Sequence, residues 1–130
     1  MPGGVTRIVS HPAAASFTPT NLVDPSGLLS GTPNDRGFTQ FVSEDRRIEC
    51  GVWACDVYKE RIPSYPVDEL FVVIEGTVVV TVEGDDPQVF SVGDAFVIRR
   101  GTACTFDVRA PFLKYWMTYD TEPSADPSSS

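Results

Sequence analysis

A carboxylate, Glu69, stands at the start of the most apolar stretch of this sequence. Glu69 comes immediately before Leu70–Ile74, an uncharged run rich in β-branched and aromatic residues that predicts a buried strand. An ionised carboxylate in apolar surroundings is so costly that it takes up a proton unless a cation or hydrogen-bond donors compensate. We therefore expect Glu69 to pair with a basic side chain, to act as a general acid or base, or to ligate a cation. The basic candidates are Lys59, Arg61, Arg99 and Arg100.

Lys114 and Cys104 are two further polar candidates on predicted strands. A lysine between apolar neighbours on a strand normally faces solvent, and this is the interpretation favoured for Lys114. If it faces inward, it is the natural counterion for Glu69 or for a substrate carboxylate. Cys104 is best explained as a packed core cysteine, because free cysteines are among the most buried residues. It would act as a nucleophile only if a neighbouring cation such as Arg99 or Arg100 lowered the pKa of its thiol.

Several aromatic side chains accompany these polar candidates. Each of them alone is best explained by core packing. Together they predict an aromatic-lined pocket with few polar groups, which is the usual composition of a small-molecule site. Tyr58 and Glu60 could line the entrance of that pocket, and the sequence does not decide this. The aromatic residues are Trp53, Phe71, Phe106, Tyr115 and Trp116.

Eight short runs of Val, Ile, Phe, Tyr, Trp and Thr predict the strands that must position these residues. Turn-forming segments such as IPSYP, EGDDP and RAP separate the runs, and no convincing helical pattern remains. Regular spacing of this kind predicts an all-β sandwich or a small barrel. The predicted strands are Gly37–Val42, Ile48–Tyr58, Glu69–Ile74, Thr77–Val82, Gln88–Ser91, Ala95–Arg99, Cys104–Val108 and Leu113–Tyr119.

Composition divides the chain into three segments. Residues 1–36 are rich in Pro, Gly, Ser, Thr and Ala, and they predict an N-terminal arm that is irregular or contributes edge strands. Residues 37–120 hold all the predicted strands and are expected to form one domain. Residues 121–130 are rich in Pro, Ser and Asp and predict a disordered tail.

Both faces of the strand that follows Glu69 are apolar. The odd positions Phe71 and Val73 share a face with Glu69, whereas the even positions of Leu70–Ile74 lie on the opposite face. One face would line the inside of a barrel, and the other would lie against the N-terminal arm or a second subunit. Because an exposed apolar sheet face is otherwise a liability, we predict a homodimer.

Composition also excludes several classes of partner. At 130 residues, the chain is long enough to form one domain with its own core. Its formal net charge of −8 leaves no basic stripe for a phosphate backbone, so no nucleic-acid partner is expected. No apolar run approaches the length of a membrane span, so we expect a soluble protein without a membrane partner. The three cysteines are too few for a disulfide scaffold, and reduced thiols in a cytoplasm are their simplest explanation.

Two glycine-containing motifs give the sequence a family resemblance. They are ELFVVIEG (69–76) and, sixteen residues later, GDAFVIRRG (93–101). With GVWACDV (51–57) and FLKYW (112–116), they resemble the cupin superfamily, and more closely the small cupins of the DUF861 type related to the (S)-ureidoglycine aminohydrolase cupin domain. The resemblance implies a double-stranded β-helix, or jelly-roll barrel, whose mouth holds a metal or a small ligand.

The metal ligands typical of cupins are mostly missing. By the resemblance, two early histidines would fall at Pro63 and Tyr65 and a late one at Cys104, so only Glu69 matches. Two donors are too few for a tight site, and we expect no bound cofactor. The alternative is a divalent Mn, Zn, Fe or Ni ion held by Glu69 and Cys104 with a further carboxylate or His11. The position of Tyr65 implies that it points into the cavity, as a hydrogen-bond donor or as a plug.

These features predict a cupin that acts on or binds a small polar metabolite. In the first hypothesis it is an enzyme, with Glu69 as acid or base and with Tyr65, Cys104 or Lys114 positioning or activating the substrate. The resemblance implies hydrolysis of a C–N bond in a ureide-like molecule, or isomerisation or cyclisation by proton transfer. The substrate would contact Trp53, Phe71, Arg99, Phe106 and Trp116.

Two alternatives to an enzyme remain open. In the first, the barrel is a binding or accessory module that holds a small molecule without turning it over. In the second, the barrel is filled by its own side chains, and the protein works only through its surface.

Overall fold

In a computed structural model, the described part of the chain contains eleven β-strands and one short 3-10 helix. The structure describes residues 3–123. Seven of the eight predicted runs agree with the observed strands to within one residue at each end. The elements are a 3-10 helix (Ala14–Ser16), β1 (Thr18–Pro19), β2 (Leu28–Gly31), β3 (Arg36–Val42), β4 (Ile48–Cys55), β5 (Tyr58–Ile62), β6 (Asp68–Glu75), β7 (Val78–Val82), β8 (Gln88–Phe90), β9 (Ala95–Ile98), β10 (Cys104–Val108) and β11 (Phe112–Tyr119).

The strands form two antiparallel sheets that enclose the core between them. The first sheet has the order β1-β3-β4-β11-β6-β9, and the second has the order β2-β5-β10-β7-β8. Alternation along β6 buries Glu69, Phe71 and Val73, while Leu70 between them stays exposed. This arrangement is a jelly-roll barrel, and the predicted all-β fold class is confirmed.

Aromatic rings fill much of the barrel interior. Phe71 stacks on Phe96 with ring centroids 4.6 Å apart, and Phe96 stacks on Phe90 at 4.0 Å. On its other side, Phe71 lies 5.7 Å from Phe106, which is nearly parallel to Tyr65 at 6.2 Å. A continuous row of five rings therefore crosses the core, and such contacts stabilise it beyond simple burial.

The predicted strand Ile48–Tyr58 is too long. β4 ends at Cys55, and after a two-residue connection β5 begins at Tyr58. Cys55 and Tyr58 both face the core, so the alternation of faces restarts with Tyr58 and leaves Lys59 and Arg61 exposed. These two basic residues, predicted as candidate counterions of Glu69, therefore do not pair with it.

The N-terminal arm covers part of the outer surface and also contacts the core, where Leu28 packs against it. β1 and β2 add an edge strand to each sheet. Phe17 packs on an outer cluster formed by Val52, Ala54 and Leu113, while Val23 joins the interior core. His11 Nε2 lies 2.6 Å from Glu75 Oε2 at the end of β6.

The C-terminal part of the chain is described as far as Pro123. Residues 121–123 follow β11 without regular structure, and the rest of the predicted tail, residues 124–130, lies outside the described residues. Within residues 3–123, no helix has the length and apolar character needed to cross a bilayer.

Candidate functional site

The polar residues predicted to form a site meet at one end of the barrel. β5 and β9 end there, and β6 and β10 begin there. The connection after β5 is fixed by its backbone, because Tyr65 N donates to Thr102 O at 2.9 Å and Gly101 N donates to Tyr65 O at 2.8 Å. Glu69, the second residue of β6, pairs with Ile98 of β9. We call this region the Glu69 end of the barrel.

Glu69, Lys114 and Tyr65 form a hydrogen-bonded trio at this end. Lys114 Nζ donates to Glu69 Oε2 at 2.6 Å, and the Tyr65 hydroxyl donates to Glu69 Oε1 at 2.9 Å. Lys114 is 5% exposed, and the other two residues are each 9% exposed. Each carboxylate oxygen therefore has a donor, and bonds of this charge-assisted kind are about twice as strong as neutral ones.

Lys114 reaches Glu69 from deeper in the barrel. On β11, Lys114 pairs with Val73 of β6, whereas the partner of Glu69 lies four residues farther along β11. At about 3.4 Å per residue this separation is about 14 Å, so the long side chain must extend along the barrel. On the way its Nζ lies 3.2 Å from the centroid of the Phe71 ring and 5.0 Å from that of Trp53, as in cation–π contacts.

The favoured interpretation of Lys114 as a solvent-facing lysine is therefore wrong, and the alternative of an inward-facing counterion is correct. The other basic candidates at this end point elsewhere. Arg99 follows the inward-facing Ile98 and is exposed. Arg100 Nη1 lies 3.6 Å from Asp120 Oδ1, and the side chain is about half exposed.

A second carboxyl group lies inside the barrel. The Tyr58 hydroxyl donates to Glu60 Oε2 at 2.6 Å, and both residues are buried. Burial raises the pKa of Glu60, although the Tyr58 hydrogen bond and the positive charge of Lys114 partly oppose this effect. Tyr58 and Glu60 therefore lie inside the barrel and do not line a pocket entrance, as the sequence had left open. Their strict alternation with Lys59 and Arg61 was the signal that could have placed them there.

Burial also changes the pKa values of Lys114 and Tyr65. It lowers the pKa of Lys114, and the nearby Glu69 carboxylate opposes that shift. It raises the pKa of Tyr65 well above the usual range, and Glu69 adds to the effect. Tyr65 therefore remains a protonated donor, while Lys114 gives up its proton more readily than a lysine in water.

Comparison with known families decides where this chain belongs. The sequence model of the EutQ-like cupin domain matches residues 42–116, which is more than half of the chain and includes the trio. The chain is a member of the EutQ-like cupin family. The predicted resemblance to cupins is thereby confirmed, and so is the jelly roll.

Solved structures support the same conclusion at the level of fold. A DUF861-family protein from Pseudomonas syringae pv. tomato str. DC3000 is 26% identical to this cupin, with a TM-score of 0.73. That match covers 78% of this cupin but only 43% of the other chain, so this cupin spans less than half of that protein. The Clostridium difficile EutQ protein is 24% identical, with a TM-score of 0.56 and coverage of 78% and 82% of the two chains.

A more distant neighbour extends the likeness of fold. The cupin domain of Schizosaccharomyces pombe Cnp3 is 18% identical, with a TM-score of 0.56 and coverage of 72% and 69%. Among curated proteins, no sequence matches this cupin. The finer resemblance to the ureidoglycine aminohydrolase domain stays a prediction.

Cys104 is a core residue of this cupin without the activation that a nucleophile needs. It is 3% exposed at the start of β10. Burial raises the pKa of its thiol to about 11, and the nearby Glu60 adds to the shift. The thiolate is therefore disfavoured near neutral pH. Cys55 is completely buried, and burial raises the pKa of its thiol to about 12.

The predicted aromatic walls lie on the same inner face as the trio. Trp53, Phe71 and Phe106 are buried members of the interior core, and the half-buried Trp116 packs against that core. Trp53 is also fixed by a hydrogen bond, because its Nε1 donates to Thr20 Oγ1 at 3.0 Å. Tyr115, by contrast, packs against the outer cluster.

The donors at the Glu69 end do not fit a divalent metal ion. Both oxygens of Glu69 already accept hydrogen bonds, and the ammonium of Lys114 would repel a second cation beside them. His11 contacts Glu75 at the opposite end of β6. Among residues 3–123, no three or more His, Cys, Asp or Glu side chains are grouped as a metal site requires.

A recess of about 510 Å³ lies away from the trio, between the N-terminal arm and the barrel. The trio itself is enclosed by packed side chains, and neither Glu69 nor Lys114 lines this recess. The residues that line the recess include His11, Phe17, Arg36, Ala54, Glu75 and Leu113.

Proposed function

We propose that this cupin is a metal-independent module that binds a small polar molecule at the Glu69 end of its barrel. The observation that carries the proposal is the 2.6 Å contact between Lys114 Nζ and Glu69 Oε2. In metal-binding cupins the matching Glu typically holds the ion, and here an ammonium group is the cation beside it. Lys114 thus supplies a positive charge and hydrogen-bond donors for a ligand oxygen.

Stability alone is a poor explanation for this ion pair. Removing two charges from water costs several kcal/mol per ion, and replacing a buried pair by apolar side chains is often neutral or stabilising. The barrel is otherwise filled with aromatic and branched side chains, and it also buries Glu60. Ionisable groups kept in such surroundings are typical of functional sites.

The chemistry of the trio favours a ligand with a carbonyl or carboxylate oxygen. An ammonium group has three N–H donors, and Glu69 accepts from one of them. A ligand oxygen would accept from another, while the rings of Trp53 and Phe71 would contact a flat amide or ureide group. Entry requires side chains at this end to move, because Tyr65 and Glu69 are both buried.

Ligand binding can be tested with the two lysines of the chain. Thermal unfolding is measured with a panel of ureides, small amides and small amino or keto acids. A compound present at 100 times its dissociation constant should add about 2.7 kcal/mol of apparent stability. Lys114→Met should abolish the shift, and Lys59→Met, at the exposed second lysine, should retain it. A compound that stabilises Lys114→Met as much as the wild type, or a panel without any shift, contradicts the proposal.

A second candidate function, proton transfer to or from the bound molecule, is favoured by the ionisation of the interior. Burial raises the pKa of Glu60 and lowers the pKa of Lys114, so both groups move towards neutrality. Shifts in these directions are typical of sites that transfer protons. Glu69 would be the acid or base of an isomerisation, a cyclisation or a C–N hydrolysis, and Lys114 would hold the substrate oxygen.

Turnover of the molecule identified by thermal shift separates the two candidates. For an enzyme, the wild type should convert the ligand to product at a rate that depends on pH. Glu69→Gln should then abolish turnover while thermal stabilisation by the ligand remains. Binding without conversion of the ligand in the wild type would leave only the binding module.

We also propose that the protein resides in the cytoplasm. All three cysteines are free and buried. When cell extracts are alkylated under denaturing conditions, mass spectrometry should therefore find three alkylated cysteines per chain. Oxidised cysteines would contradict this location.

A further inference from the structure

The recess between the N-terminal arm and the barrel has a floor made by one row of side chains. The row takes one residue from each of four neighbouring strands, and adjacent members are Cα partners in the strand register. In the order β3, β4, β11 and β6 its members are Arg36, Ala54, Leu113 and Glu75. At about 4.8 Å between strands, the Cα atoms of Arg36 and Glu75 are about 14 Å apart. The floor is therefore apolar in the middle, with a cation at one end and a carboxylate at the other.

Glu75 reaches this recess because the pairing of β6 with β11 is irregular beside it. Alternation along β6 turns Phe71 and Val73 into the barrel, and regular continuation would turn Glu75 inward as well. The register shifts between Leu113 and Lys114, and Glu75 lines the recess. Irregularities of this kind often redirect a side chain next to a functional site.

The arm is held against the barrel before and after the segment that lines the recess. Val9 N donates to Gln40 Oε1 at 2.7 Å, and Gln40 Nε2 donates back to Val9 O at 2.9 Å. Farther along, Thr20 Oγ1 donates to Asp35 Oδ2 at 2.7 Å. These contacts give the recess fixed walls, and its volume of about 510 Å³ is typical of small-molecule sites. The arm contributes Pro12, Ala14 and Phe17 to the lining.

The charged groups at the two ends of the row keep capacity for further hydrogen bonds. Glu75 Oε2 lies 2.6 Å from His11 Nε2, and this is the one hydrogen bond of the Glu75 side chain in the described part of the chain. Arg36 Nη1 donates to Asn34 O at 2.8 Å and lies 3.5 Å from Asp56 Oδ1. A guanidinium has several N–H donors, and each carboxylate oxygen can accept more than one bond. Both ends can therefore bind a ligand without giving up these partners.

We propose that this recess is a second ligand site, which binds a small zwitterion whose ammonium and carboxylate groups lie at opposite ends of a short apolar chain. The ligand carboxylate accepts charge-assisted hydrogen bonds from Arg36, and the ligand ammonium donates to Glu75. Its chain lies on Ala54 and Leu113, beneath the apolar residues of the arm. An α-amino acid carries both charged groups on one carbon and spans only part of the row, so the ligand class is that of the ω-amino acids.

NMR titration of the amide signals of the purified protein tests this assignment. The probes are γ-aminobutyrate and ε-aminocaproate, and the reference compounds are leucine, hexanoate and hexylamine. At least one probe should bind about tenfold more tightly than every reference compound, because each reference loses a charged contact at one end of the row. The amide signals that move should belong to the four strands of the row and to the arm.

Substitutions at the two ends separate this site from the interior of the barrel. Arg36→Gln should weaken the bound probe to the level of hexylamine, and Glu75→Gln should weaken it to the level of hexanoate. Arg109→Gln and Glu83→Gln are matched controls that should bind like the wild type, because neither residue lines the recess. Arg109, like Arg36, pairs with an aspartate, and Glu83, like Glu75, is more than half exposed.

Three outcomes would overturn the proposal. They are probes that bind no better than the reference compounds, binding that survives both Arg36→Gln and Glu75→Gln, and binding that Arg109→Gln and Glu83→Gln weaken equally. A probe that moves only signals around Glu69 and Lys114 would belong to the interior site, so the recess would lose its ligand while the function proposed for the interior stood. Neither Glu69 nor Lys114 lines the recess, so the two sites succeed or fail separately.

Discussion

At the scale of single residues, the substitutions in the barrel interior that lower the unfolding free energy most should be those that break the ion pair between Glu69 and Lys114. Lys114→Met leaves the Glu69 carboxylate buried without its cation, and such a change costs about 3–5 kcal/mol of unfolding free energy. Adding Glu69→Gln removes the orphaned charge, so the double variant should lose less stability than the sum of the two single variants. The difference should be about 0.5–3 kcal/mol in urea unfolding at pH 7.

The exposed pair between Arg61 and Glu83 provides the control for this cycle. Its Nη2 and Oε2 atoms lie 3.3 Å apart, and both side chains are about half exposed or more. Arg61→Met should cost at most about 1 kcal/mol, because water screens surface pairs. Strictly additive losses for the Glu69 and Lys114 variants would mean that the two charges do not stabilise each other in solution.

The direction of Lys114 marks the limit of prediction at this scale. The sequence indicated that Glu69 is buried, because it begins an apolar run. Lysines on strands usually face solvent, and the prediction for Lys114 followed this general tendency instead of the pattern of its neighbours on the strand. Phe112 and Trp116 share the parity of Lys114, and all three point to the core. The sequence could not predict that the Lys114 side chain extends over the Phe71 ring to Glu69, because this contact depends on the register between β11 and β6.

At the scale of elements, the turn between β6 and β7 depends on Gly76. Its φ of +85° lies in the left-handed region, and an added Cβ would meet the carbonyl oxygen of Pro111, which immediately precedes β11. Gly76→Ala should therefore lower the unfolding free energy by about 1–3 kcal/mol, from backbone strain together with the clash. Urea unfolding followed by circular dichroism measures this loss.

Gly84 separates the two causes of that loss. It has nearly the same φ, +88°, but nothing lies within 4 Å of an added Cβ. Gly84→Ala should therefore show the backbone strain alone, and it should cost less than Gly76→Ala. Equal losses would mean that the approach of Pro111 contributes nothing to the cost.

The elements were predicted best where the pattern of side chains was simple. Cys104–Val108 agrees with the observed strand at both ends, because turn residues flank a short alternating run. β5 was missed because charged residues at 59–61 concealed it and because a two-residue connection shifts the alternation between Cys55 and Tyr58. The burial of Glu60 depends on that shift, so the alternation along residues 58–61 places Glu60 in the core only once the strand break is recognised.

At the scale of the whole molecule, Glu60 should give the folding stability a distinctive dependence on pH. Burial raises its pKa in the folded protein above the ordinary value of 4.5. Below pH 4.5 the carboxyl group is protonated in both states, and its contribution to stability is fully present. As the pH rises, the unfolded chain releases the proton first, so stability falls until the pH passes the pKa of the folded state. The slope is at most about 1.4 kcal/mol per pH unit.

The variant Glu60→Gln isolates this contribution, because its amide oxygen can still accept the hydrogen bond from Tyr58. Urea unfolding is measured for both proteins from pH 4 upwards, at intervals of about half a pH unit. The stability of the wild type relative to Glu60→Gln should fall as the pH rises, whereas Glu83→Gln, at an exposed carboxylate, should follow the wild type. The lowered pKa of the buried Lys114 makes folding stability rise with pH up to 10.5, which is opposite to the effect of Glu60. This contribution is the same in the wild type and in Glu60→Gln, so it cancels in the comparison. A relative stability that stays constant or rises with pH would mean that Glu60 is ionised as readily inside the barrel as in water.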